Sequence, residues 1–149
     1  MPRKPASIEI SELRKRLRNA IEERRRTTVA RRAALDEAAR AYTELLETTA
    51  TPLVRQLANA LRAEGHNFTV FTPNGGLRMA LAKSADDYIE FALDTSQDEP
   101  FAALRVNRTR GRRVVQHERA VKERTPVDQL DEEDVLQALL EEIAPFVER

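Results

Sequence analysis

Apolar residues recur every three to four positions early in the chain, at Ile10, Leu13, Leu17 and Ile21, and again at Leu35, Ala39, Tyr42 and Leu46. That period puts them on one arc of an α-helix. Between the two groups the arc fails, because Arg24, Thr28 and Arg31 fall where apolar residues belong. The helix therefore has two adhesive ends and a polar waist. From Ser7 to Thr48 there is no Gly or Pro, and the run is dense in Arg, Ala, Glu and Leu, all strong helix formers. Acid-before-base pairs at Glu12–Arg16, Glu22–Arg26 and Asp36–Arg40 support the waist in water. A continuous helix is expected; a break at Thr27-Thr28, giving an antiparallel hairpin, is the alternative. Roughly forty helical residues reach roughly 60 Å, against about 30–35 Å for a compact domain of the remainder. Such an arm calls for a partner.

Thr51-Pro52 reads as an N-cap with Pro at the first helical position, after a corner or kink at Thr48, Thr49 and Ala50. A shorter helix follows, bearing Leu53, Val54, Leu57, Ala58 and Leu61, and Gly65 stops it. The period then changes to two, the signature of strands. Phe68 to Phe71 is β-rich, and Pro73-Asn74-Gly75-Gly76 is a turn. Leu77, Met79 and Leu81 alternate with smaller or polar residues. Ser84-Ala85-Asp86-Asp87 reads as the next turn, before Ile89, Phe91 and Leu93. Strands at Phe101 to Val106 and Arg113 to His117 flank a turn at Arg110-Gly111. Asp131 caps a final helix with an acidic first turn and a Leu130/Val135 staple. Its core stripe is expected to be Leu136, Leu139, Leu140 and Ile143, with Pro145 ending or kinking it.

The pattern predicts an α+β fold. A long N-terminal helix plus a short helix precede a five-stranded antiparallel meander and a C-terminal helix packed on the sheet, leaving the other sheet face wet. Residues 1–50 are expected to form an extended arm for oligomerisation or partner contact, and residues 51–149 the compact domain.

Length changes this picture little: 149 residues suffice for a core without staples. The absence of cysteine excludes a disulfide framework and zinc–thiolate sites and suits a reducing cytoplasm. Met1-Pro2-Arg3-Lys4-Pro5 is basic but no apolar run follows, so no secretory signal and no membrane contact are expected.

Charge changes the picture more. The formal net charge is zero but strongly segregated. Residues 1–40 hold twelve Lys/Arg against six Asp/Glu, and residues 105–127 hold eight against two, each a net of +6. Residues 128–149 hold eight acids against one Arg, a net of −7. Solvated mixed faces explain part of this; association between surfaces is the other reading.

No catalytic constellation emerges. His66 and His117 lie outside any ligand spacing, and Ser7, Ser11, Ser84 and Ser96 fall at caps and turns without a nucleophile elbow. Asn74-Gly75-Gly76 lacks the Lys and helix of a phosphate loop, and Asp86-Asp87 punctuates a loop. No enzyme activity, metal or cofactor is expected.

One constellation carries plausible binding chemistry. Arg105, Arg108, Arg110, Arg112 and Arg113 crowd a hairpin tip, where guanidiniums repel one another unless an anion or acidic surface is near. A charged edge that blocks strand aggregation, an acidic protein contact and a nucleic-acid phosphate contact are the competing readings. Arg14, Arg18, Arg25 and Arg32 form a narrow stripe on the long helix that extends such a track. Neutral total charge and scarce aromatics weigh against nucleic acid.

The function expected is thus non-enzymatic: a small cytoplasmic self-assembling or adaptor protein. Its long helix makes the contact through Ile10, Leu13, Leu17 and Ile21, most simply in an antiparallel homodimer. The alternative is a nucleic-acid-binding accessory protein using the Arg hairpin 105–113 and the Arg stripe.

Overall fold

The computed structural model describes residues 7–148; the basic N-terminal pentapeptide and Arg149 lie outside them. Helix α1 spans Ile10–Leu45, and helix α2 spans Thr51–Ala63. Five strands follow: β1 Phe68–Phe71, β2 Arg78–Leu81, β3 Ser84–Asp94, β4 Phe101–Arg110 and β5 Arg113–Ala120. Helix α3, Glu132–Val147, ends the fold. The sheet order is β1-β2-β3-β4-β5 with every pair antiparallel, an uninterrupted meander. The α+β architecture expected from the sequence is the one observed.

Residues up to Ala34 and residues from Leu35 onward form two units. The boundary lies before the 50/51 division expected from the sequence, because Leu45, Leu46 and Ala50 are buried core residues. In the first unit α1 is continuous through Thr27-Thr28, and the Thr27 hydroxyl donates back to the Glu23 carbonyl at 2.9 Å. Glu12 meets Arg16 at 3.3 Å as expected, but Glu22 pairs with Arg25 rather than Arg26, which turns to Glu23. Both spacings share a helix face, and exposed ion pairs exchange partners at little cost.

No corner separates α1 from α2. Leu46–Ala50 is a single π-helical turn, closed by the Thr51 N–H donating to the Leu46 carbonyl. Thr51 is itself helical (φ −63°, ψ −48°), so it caps nothing. Within a regular α-helix the Pro52 ring would clash with the carbonyl four residues back. The wider π turn relieves that contact and lets the helix pass on. The buried face is also rephased: Leu45 is buried and Ala38 half-buried, whereas Ala39 is exposed. At the far end Gly65 takes φ +87°, and the His66 N–H reaches the Leu61 carbonyl at 2.8 Å, a glycine stop that satisfies carbonyls of the last turn.

The register separates two sheet faces. Phe68, Met79, Ile89, Phe91, Leu104 and Val106 line the inner one. Helix α2 adds Leu53 and Val54 to this core, and α3 adds Val135, Ala138, Leu139 and Ile143. Phe68 meets Phe146 edge-to-face at 6.2 Å, which fixes α3 on the inner face. The outer face is not simply wet: Ala80, Ala103, Asp94 and Asn107 are buried there.

The turn between β2 and β3 differs from expectation. The chain reverses at Ala82-Lys83, so Asp86 and Asp87 lie in β3 rather than in a turn. Ala80 pairs with Tyr88 but Leu81 with Ser84, leaving residues 85–87 as a bulge. The bulge has partners on β4: the Asp86 carbonyl accepts from Asn107 Nδ2, and Asp87 Oδ1 accepts from the Thr109 N–H.

Helix α3 begins as expected, with a reciprocal capping box between Asp131 and Asp134. The Asp131 N–H and, beyond it, Lys122 at 3.2 Å hold the Asp134 carboxyl below its usual range. Two corrections follow. Leu140 is exposed and Leu136 only half-buried, and Val135 and Ala138 complete the buried stripe. Pro145 neither ends nor breaks the helix, because it forfeits only one bond in the last turn, and Glu148 still donates to Ala144 at 3.2 Å.

Candidate functional site

The apolar stripe on the first turns of α1 is fully presented. Ile10 is 69% exposed, Leu13 55%, Leu17 59% and Ile21 43%. Helical spacing stacks the four on one face over about three turns. Arg14, Arg18, Arg25 and Arg32, all exposed, run along the flank of that stripe. Scattered exposed leucines are ordinary, but a contiguous row framed by charge is the form of a contact surface.

The hairpin arginines do not form one cluster. Gly111 supplies positive φ (+65°) at the first central position of the β4–β5 turn, the requirement of a tight two-residue reversal. Register then sorts the guanidiniums by face. Arg108 lies opposite Val115, and Arg110 opposite Arg113, all on the inner face beyond Val106. Arg112 occupies the turn. Arg105 stands on the outer face opposite Glu118, which it meets at 3.1 Å. Arg108, Arg110, Arg112 and Arg113 have no carboxylate partner among the described residues.

Arg105 instead belongs to a row that linear sequence does not reveal. Arg78, Glu90, Arg105 and Glu118 are direct cross-strand neighbours on β2, β3, β4 and β5, with alternating sign. Arg78 donates to Glu90 at 3.0 Å and lies 4.0 Å from the centroid of the Tyr88 ring. Such cross-strand pairs help pin the register of the four strands. Tyr42 lies within reach of the row. Burial, then the negative charge of Glu90, pushes its hydroxyl up to about 12 against a lowering influence from Arg105.

A second charged cluster ties α3 to β5. His117 Nε2 lies 2.8 Å from Glu142 Oε2, and Arg119 contacts both Glu141 and Glu142. The Arg119 hydrogen bond, aided by Gln137, lowers the Glu141 carboxyl below its usual range. Val106, Arg108, Val115, His117, Glu142, Pro145 and Phe146 line a depression of about 60 Å³ beside this pair. Ligand sites typically run from about 300 Å³ upward. This one is too small.

Among the described residues no three His, Cys, Asp or Glu side chains gather to hold a metal ion, and no helix is long and apolar enough to cross a membrane. Compared with known proteins, the chain matches no protein-family model, no curated protein and no solved structure.

Proposed function

We propose that this protein is a non-enzymatic, self-associating or adaptor protein of the cytoplasm that binds through the first turns of α1. The observation that carries this reading is the exposed row Ile10, Leu13, Leu17 and Ile21. Burying four such side chains yields on the order of 1.5–3 kcal/mol each before association costs are met. A row of that strength left in water favours aggregation, whereas one rimmed by arginines is soluble and selective. The occupant best supported is another copy of the chain, since the acidic residues 128–149 supply the opposite charge.

Sedimentation equilibrium at tens of micromolar tests this directly. The wild type should be oligomeric, and Leu13→Asp with Leu17→Asp should be monomeric with the sheet intact by circular dichroism. A monomeric wild type would sink the proposal. The four hairpin arginines without carboxylate partners favour a second reading, contact with nucleic-acid phosphates.

A further inference from the structure

Helix α3 carries a second stripe beside the one it buries. Leu136 and Val147 are half-buried, Ala144 is exposed, and Leu140 is 47% exposed. With Glu133 they stand at positions 133, 136, 140, 144 and 147, a spacing of three, four, four and three. On α1, Ile10, Leu13, Leu17, Ile21 and Arg24 repeat that spacing. Two helices whose outward rows share a rhythm can mesh along about four turns. From this we infer that the surface receiving the α1 stripe is the outer face of α3 on a second copy, with the two helices antiparallel. The inference rests on the reading that α1 mediates self-association, and names the surface it meets.

Charge selects the direction. Antiparallel docking sets Ile21 against Leu136, Leu17 against Leu140, Leu13 against Ala144 and Ile10 against Val147. It also brings Arg24 opposite Glu133, two exposed residues with no ion-pair partner among the described residues. Parallel docking instead drives Glu133 onto Ile10 and Arg24 onto Val147, which desolvates both charges without pairing them. The wider segments agree. Residues 10–34 hold nine Lys/Arg against three Asp/Glu, while residues 128–149 hold eight acids against one Arg.

The same charges disfavour two α1 stripes meeting each other. Antiparallel pairing about a two-fold axis sets like flanks together, so Arg14 and Arg18 of one chain would face Arg18 and Arg14 of the other. Docking on α3 avoids that repulsion. A reciprocal exchange between two chains would make the contact twice.

The chain has no cysteine, so single cysteines report the contact cleanly. Chains bearing Leu17→Cys, mixed with chains bearing Leu140→Cys and mildly oxidised, should yield a disulfide-linked heterodimer. In sedimentation, Leu140→Asp should raise the dimer Kd by about tenfold or more. R24E and E133R should each weaken association, and R24E/E133R together should restore it by exchanging the two charges. Wild-type association that survives Leu140→Asp without crosslinking, yet is lost in L13D/L17D, overturns the α3 surface while leaving self-association standing. A monomeric wild type overturns both. Crosslinking also keeps the test independent of any loss of stability in the charged variants.

Discussion

Asp94 ends β3, and its Oδ1 accepts from both the Ser96 hydroxyl and the Ser96 backbone N–H, the latter at 2.8 Å. Those bonds, the hydroxyl first, hold the carboxyl below its usual range, with Arg105 adding to the effect. A folded pKa below the unfolded value near 3.9 makes the ionised carboxylate a stabiliser above that pH. The contribution disappears as pH falls through the lower folded value. Asp94→Asn should therefore destabilise the fold at pH 7 by up to about 1.5–3 kcal/mol, the range for hydrogen bonds to a charged group. Urea unfolding should show the deficit narrowing below about pH 4. A deficit independent of pH would mean that the turn prefers Asp for its shape rather than its charge. The alternation of Ile89, Phe91 and Leu93 predicts the strand but not how its polar end is held. Nothing in Asp94-Thr95-Ser96 announces that the carboxylate is buried on the outer face, because burial there depends on β4 and β5.

At the scale of elements, legibility followed the range of the forces. Helix α1, the Asp131 cap and the Gly65 stop rest on neighbours within four residues, and all were readable. The β3 bulge and the charged row depend on strand partners a dozen or more positions away, and neither was. Helix α3 shows the limit within one element. Periodicity allowed Leu139 and Leu140 to share a core stripe, since adjacent residues lie about 100° apart and both fit a broad apolar arc. Only packing against the core decides between them, and it buries Leu139 completely while leaving Leu140 outside. Leu139→Ala should accordingly cost about 2–5 kcal/mol. Leu140→Ala, read in the same thermal or urea unfolding experiment at low protein concentration, should stay within about 0.5 kcal/mol. Equal losses would show α3 rotated from the orientation described.

For the whole molecule, zero net charge conceals two basic segments and one acidic one, and the question is which surfaces they serve. If α1 docks on α3, the arm's arginines and the C-terminal acids answer one another. The hairpin arginines Arg108, Arg110, Arg112 and Arg113 are then left over, around the β4–β5 tip where Val114 and Val115 are also uncovered. Replacing all four with Ala should leave the sedimentation behaviour unchanged, because the proposed contact does not use them. Nucleic-acid retention separates their remaining roles. If they touch phosphates, retention should weaken, and the slope of log affinity against log salt should fall by about 0.7–0.9 for each contact removed. Charge alone offers no base specificity, so single-stranded and duplex probes of unrelated sequence should respond alike. Unchanged retention and slope would remove the phosphate reading. The four arginines would then serve as a charged edge that keeps β5 from pairing with another sheet.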